Sequence, residues 1–557
     1  MAELILGPML RFVDESAATV FVETDVPCRV AILGCETTTF TVAGHHYALV
    51  IIDGLMPGSA NPYDVRLDGT LRWPIPGSRF PNSVIRTLGG AARPTRVLFG
   101  SCRSAAPHEP PWSLSATEDR RGLGVDSLRA HGLRMLGQDP SLWPDLLLLI
   151  GDQVYADEPS PRAKEKVKRR RRLGRSRLDR TAPEIIIGFD EYVTMYHEAW
   201  TPEVERWLFS VVPTAMIFDD HDMIDDWNIS MAWVRDIQEQ PWWDEHVTGA
   251  MSSYWIYQHL GNLSPEAITR DGLLERLLAE DDGASLLNDW ARRSECFTPI
   301  EGRYRFSYVR DLERTRIVVV DCRNARVLDG ERAMVNPSDW KWVDEQCRAD
   351  VDQLFIVTSL PVLVTGGLHG LQLWNAALCD GRWGRGIAWL SERLRRALDL
   401  EDWPAFEPSF LKMAELLRDI AAGTGASSDR KPPGVVAVLS GDIHFSYVAA
   451  VAFTQPGAIS RVYQLVCSPI RQALPRHERK VILAALSRPG RVIGGFLQRS
   501  VRAAVSPISW ELTHGPAFAN DMAVITIDGS SVNLLIEQAL PDESGQPVLS
   551  DVIRTPL

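Results

Sequence analysis

Residues 145–158, DLLLLIGDQVYADE, decide how the rest of this chain is read. Five apolar residues in a row, 146–150, are too few to span a bilayer and do not alternate, so they predict a strand buried on both faces of a sheet. The chain then turns on Gly151 and presents Asp152 and Tyr155. In open α/β sheets ligands bind at that end of the strands. A carboxylate placed there can bridge metal ions, or it can cap the helix that follows. This stretch alone fits both readings.

Three more segments have the same form. RVLFGSCRS at 96–104 is an apolar strand that ends in Gly100, Ser101, Cys102 and Arg103. A cysteine at such a point is either a small buried hydrophobe or a thiolate ligand. VPTAMIFDDHDMIDDWN at 212–228 closes an apolar strand with Asp219, Asp220, His221, Asp222, Asp225 and Asp226. Carboxylates so crowded repel one another unless cations neutralise them, which favours a metal site over an exposed acidic loop. VVAVLSGDIHFSYVA at 435–449 supplies Asp442 and His444. Residues i and i+2 of an extended segment point the same way and can grip one cation. Four strands ending in GSCR, GDQVY, DDHD and GDIH are expected to meet at one edge of a sheet. That arrangement predicts a two-metal site with Asp152 as the bridge, which can generate a hydroxide nucleophile and bind phosphoryl oxygens.

The 557 residues imply more than one domain. At 45% hydrophobic and 24% charged the chain is an ordinary globular protein, and a net charge of −13 argues against general nucleic-acid binding. The eight cysteines are scattered without a CxxC pair, so neither a disulfide framework nor a Cys-rich zinc site is indicated. MAELILGPMLRF lacks the basic and apolar regions of an export signal, and no apolar run reaches the length of a membrane span. The expected location is the cytoplasm, with no membrane partner.

Residues 1–87 read as short strands punctuated by turns at Pro57-Gly58 and Asp68-Gly69, a small sandwich of the fibronectin or immunoglobulin kind or an outlying part of the main sheet. A Pro- and Gly-bearing linker at 74–94 leads to a catalytic domain over 94–557. Within it, 161–180 is a basic insertion: residues 162–180 hold eleven Lys or Arg against Glu165 and Asp179. It reads as a solvated, mobile block, or as a cationic lid that draws in an anionic substrate. Residues 231–280, rich in Trp and Tyr, read as a helical cap on the sheet, and 366–369 as a loop.

Taken together, the four motifs resemble those of the PhoD-like metallophosphatases, the alkaline phosphatase D family of the calcineurin-like phosphoesterases. The resemblance implies a four-layer α/β/β/α metallophosphatase domain preceded by a small all-β sandwich, with a binuclear centre. By the same resemblance Cys102, Asp152, Tyr155 and His444 hold Fe(3+), since a thiolate and a phenolate suit a trivalent ion. Asp152, Asp220 and Asp442, all oxygen donors, hold Ca(2+). His221 matches the group that stabilises or protonates the leaving oxygen, and Arg103 is the candidate phosphate clamp. The expected activity is hydrolysis of phosphate mono- or diesters. The alternative is a catalytically silent relative that binds a phosphorylated partner or nucleic acid through the basic insertion.

Overall fold

Strand-forming, partly alternating sequence at the N-terminus folds into two small antiparallel sheets. In one, Ala18–Thr24 lies between Leu4–Val13 and His45–Ile52, with Phe40–Val42 at the edge; in the other, Arg29–Ile32 and Val65–Leu67 pair centrally between Cys35–Thr38 and Thr70–Trp73. Leu10, Val20, Val22, Val30, Val50, Val65 and Leu67 pack between them as a separate core. Every residue of Ala18–Thr24 is buried, because its second face packs onto the body of the molecule, where the Phe21 ring meets Tyr257 at 5.9 Å. The fully buried Arg11 donates to the carbonyls of Thr214 at 3.0 Å, Tyr257 at 2.6 Å and Gln258 at 2.6 Å, which locks this sandwich in place. The computed structural model describes the chain apart from residues 90–92, 174–181, 296–302, 425–430, 455–456, 473 and 475.

The body is built on two mixed sheets that face each other. The six-stranded sheet runs Thr214–Ile217, Leu146–Ile150, Thr95–Gly100, Asp521–Asp528, Ser531–Pro541, Pro547–Pro556, the first three parallel. The seven-stranded sheet runs Tyr308–Leu312, Thr315–Val319, Gln353–Val357, Val435–Ser440, Arg461–Val466, Ser446–Phe453, Ile508–Ala517. Leu146–Ile150 and Gln353–Val357 are buried throughout, as apolar runs covered on both faces must be. Side chains tie the sheets together: the Tyr308 hydroxyl donates to the Met216 carbonyl at 2.9 Å, and Gln353 Nε2 to the Gly529 carbonyl at 2.9 Å. Helices close the outer faces, Ser127–Met135 over the six-stranded sheet and Glu407–Ala422 over the seven-stranded one, giving four layers.

Four expectations change. The motif-bearing strands do not share one sheet: three are neighbours in the six-stranded sheet, and Val435–Ser440 belongs to the other. Part of the expected linker, Val84–Arg86, is a strand paired with Ala60–Pro62. Residues 366–369 open the helix Gly366–Cys379, where Gly366 and Gly367 serve a close helix contact rather than a loop. The first half of the basic insertion is no mobile block but the helix Pro161–Arg172, capped by Ser160. Arg171 of this helix is buried against both carboxylate oxygens of Glu191, and Arg170 pairs with Asp190 at 2.6 Å. The remainder of the insertion, 174–180, lies outside the described residues.

Candidate metal centre

Three of the four motif strands end by forcing a polar residue out of line. Cys102, Asp152, Asp442 and His444 all have positive φ, at 60°, 49°, 68° and 54°. For residues with a side chain this left-handed conformation costs about 1 kcal/mol or more each, and it persists where the surroundings over-determine it. Here the surroundings are backbone bonds between motifs. Cys102 N donates to the Gly151 carbonyl at 3.2 Å, Arg103 N to the Asp152 carbonyl at 3.0 Å, and Asp442 N to Ser101 Oγ at 3.1 Å. Glycine is required where they meet: at Gly441 a Cβ would overlap Ser101 Oγ, and at Gly151, φ 94°, it would lie 2.7 Å from Asp219 Cβ.

Two ligand pockets result, and Asp152 belongs to both. In the first, ligand atoms of Cys102, Asp152 and His444 lie within 4.8 Å of one another, and the Tyr155 hydroxyl is 3.4 Å from His444 Nε2. In the second, Asp152, Asp219, Asp220 and Asp442 are equally close. Asp152 is 1% exposed, and neither of its carboxylate oxygens has a hydrogen-bond partner. A buried carboxylate left in that state costs several kcal/mol unless a cation or a proton meets it.

Electrostatics follow from burial. Burial and the charges of Asp219, Asp220 and Asp222 push Asp152 well above the usual carboxylate range, against the pull of His221. Burial likewise raises the Cys102 thiol, which also faces Asp152 and Asp442, and the Tyr155 phenol, which faces Cys102 and Asp152. Burial lowers His444 to about 4, leaving it neutral with a lone pair to offer. A cation reverses the balance for thiol, phenol and carboxylate together. This donor set therefore fits a metal ion, with thiolate, phenolate, imidazole and carboxylate in the first pocket and oxygen donors in the second.

His221 stands beside both pockets. Its ring stacks on Tyr155 at 4.6 Å, and its Nδ1 lies 2.8 Å from Asp157 Oδ2. Burial disfavours its charge, yet Asp157, Asp220 and Asp152 outweigh that and hold the imidazole well above its ordinary pKa. Nδ1 is committed to Asp157, while Nε2 lies 4.0 Å from Asp225 Oδ1.

Comparison with known proteins follows the same outline. Residues 1–85 match the model of a domain of unknown function, DUF7800. No curated protein sequence matches the chain. A solved structure of PhoD aligns with 98% of this chain and 88% of its own, at a TM-score of 0.56 and 12% identity. The fold is PhoD-like.

Within this PhoD-like fold the candidate residues separate clearly. Cys102, Asp152, Tyr155, Asp220, His221, Asp442 and His444 gather around the two pockets. Arg103 does not, which corrects its reading as a phosphate clamp. Its guanidinium is buried in a separate cluster, donating to Asp126 at 3.0 Å, the Ala199 carbonyl at 2.9 Å and Glu205 at 3.1 Å. Nor do all the carboxylates of 219–226 belong to the ligand pockets. Asp222 accepts from Gln153 N, Val154 N and Gln258 Nε2, so it holds the loop that carries Asp152.

Other residues at the centre carried no local signal. Arg323, fully buried, bonds Asp219 and lies 3.1 Å from Asp220, 2.5 Å from Glu401 and 3.6 Å from Asp442. Ser468 donates to Cys102 Sγ at 3.3 Å. Asp321, two residues before Arg323, is a cap, accepting from Arg323 N and Asn324 N. A cavity of about 1300 Å³ lies elsewhere, between the helix Arg488–Ser500 and the strands Ser446–Phe453 and Ile508–Ala517, and none of the ligand residues lines it.

Proposed function

We propose that this chain is a metal-dependent hydrolase of phosphoric esters, mono- or diesters, whose centre is of the Fe/Ca type. The observation that carries the reading is Asp152: buried, without hydrogen-bond partners, and common to two ligand pockets. Cys102, Tyr155 and His444 would complete the site for trivalent iron, and Asp220 and Asp442 the site for calcium. Bound there, the two cations would supply an acidified water and positive charge for the phosphoryl oxygens.

The chain's own residues do the rest. His221, cationic and aimed by Asp157, holds a proton at Nε2 for the departing oxygen. Arg323 neutralises part of the carboxylate cluster and fixes the directions of Asp219, Asp220 and Asp442. Asp222 anchors the turn on which Asp152 sits. The test is hydrolysis of p-nitrophenyl phosphate and bis-p-nitrophenyl phosphate by protein supplied with iron and calcium. Turnover that is lost in Asp152→Asn and falls roughly 10²- to 10⁴-fold in His221→Ala supports the reading. Equal rates in all three proteins would refute it.

A further inference from the structure

One helix in this molecule is inside out. Arg488–Ser500 packs on Gly366–Cys379 through glycine: a Cβ on Gly370 would overlap the backbone of Gly494, and one on Gly494 would come within 3.0 Å of Gly367 Cα. Gly494 is the only buried position among those described in this helix. Residues two positions away on an α-helix lie about 200° round the axis, so Val492 and Phe496 are directed away from the protein. They are 72% and 68% exposed, and Ile493 is 58% exposed. The preceding helix, Arg476–Leu486, adds Val481 and Leu483 at 55% and 50%. A globular helix turns such residues toward the core. This hairpin turns them to the outside because its contact with the supporting helix is made by Gly494 and Ala485 against Gly366, Gly367 and Gly370.

Charge on the hairpin is segregated as strongly as its apolar side chains. Residues 476–502 carry seven Lys or Arg and one Glu, a net +6 on a chain whose net charge is −13. Arg488 and Arg499 flank the apolar strip on the same helix, both exposed. The helix Arg385–Ala397, packed on the same supporting helix, exposes Trp389 at 60% and Leu390 at 59%, with Arg393 over the Trp389 ring at 4.2 Å. Bulky apolar residues and Trp on a polar-flanked strip, bordered by arginine, are the composition of helices that lie in a membrane interface.

We infer that the hairpin 476–502 is a peripheral docking surface for an anionic phospholipid bilayer. Val492, Ile493 and Phe496 enter the acyl boundary while the arginines reach the headgroups. An overall acidic body would be repelled from such a surface, so the basic hairpin also sets the orientation of approach. Among the described residues no helix is long and apolar enough to cross a membrane, so the contact is peripheral. This revises the expectation of no membrane partner, which rested on the lack of a spanning segment.

The experiment is co-sedimentation of the full chain with vesicles of phosphatidylcholine alone, and with about one quarter phosphatidylglycerol, compared with the double variant Val492→Ser/Phe496→Ser. Wild type is expected to partition onto the anionic vesicles, to do so weakly on phosphatidylcholine, and to be released by about 0.5 M salt. The double variant is expected to lose about tenfold or more in partitioning with an unchanged melting temperature. Arg491→Glu/Arg499→Glu is the second variant, expected to lose the preference for anionic lipid. Wild type that stays in solution with anionic vesicles overturns the inference. So does undiminished binding by folded variants, or a wild-type dimer in light scattering that the serine variant splits without any lipid binding.

Discussion

The Tyr155 hydroxyl lies 3.4 Å from His444 Nε2, although 289 residues separate the two in the chain. A phenol so placed, beside Cys102 and Asp152, has little use for a buried proton once a trivalent cation is present. Tyr155→Phe is therefore expected to abolish the visible tyrosinate-to-iron band of the iron-loaded protein while leaving its far-UV circular dichroism unchanged. A band of undiminished intensity in the variant would remove Tyr155 from the ligand set.

Asp152 makes a prediction of opposite sign for stability and for binding. Its folded-state pKa is raised, by burial first and by its carboxylate neighbours next, so in metal-free protein its ionisation costs stability as pH rises above the unfolded value near 3.8. Asp152→Asn removes that cost. Metal-free variant at pH 7 is expected to be more stable than metal-free wild type by about 1–3 kcal/mol, and to take up less metal. Denaturant titration of both chelated proteins checks the sign, and a less stable variant would contradict it.

Arg323 is the counter-example. Its guanidinium is fully buried among Asp219, Asp220, Glu401 and Asp442, so Arg323→Met leaves these carboxylates with less compensation. The expected loss is about 3–5 kcal/mol in metal-free protein. Added calcium should return part of it, because a divalent cation bound only by the folded state stabilises by mass action. Thermal melts with and without calcium measure that difference, which is expected to be larger in the variant than in wild type.

At the seam between the sandwich and the body, His45 Nε2 lies 2.8 Å from Asp190 and His45 Nδ1 3.6 Å from Glu23. Burial opposes its charge, but the two carboxylates win and raise it to about 9. A raised histidine contributes stability that is fully present below its unfolded pKa near 6.5 and is lost as pH rises through about 9. Wild type should lose of order 1–3 kcal/mol across that window, and His45→Gln should flatten the profile.

How much of this was legible in the sequence depends on how local the signal was. Cys102, Asp152, Asp442 and His444 each follow an apolar run that can only be a buried strand, so strand and polar end are visible within ten residues. The four-layer arrangement was legible through the resemblance of those motifs, yet their division between two sheets was not, because sheet partners such as Thr95–Gly100 and Asp521–Asp528 are remote in sequence. Arg323 contacts Asp219 across 104 residues and Ser468 contacts Cys102 across 366, and neither has a neighbour that marks it. Arg103 misled for the opposite reason. An arginine beside a ligand reads as a clamp, but burial turned it toward Asp126 and Glu205. The inverted helix Arg488–Ser500 was equally hidden, since amphipathic periodicity shows an apolar face without telling which way it points.

The most direct test of the metal centre is elemental analysis of wild type and Asp152→Asn, purified without chelators and then equilibrated with iron and calcium. The account predicts about one iron and at least about one calcium per wild-type chain, with both reduced in the variant because Asp152 serves both pockets. Wild type that retains neither ion, or a variant that retains both at the wild-type level, would contradict it.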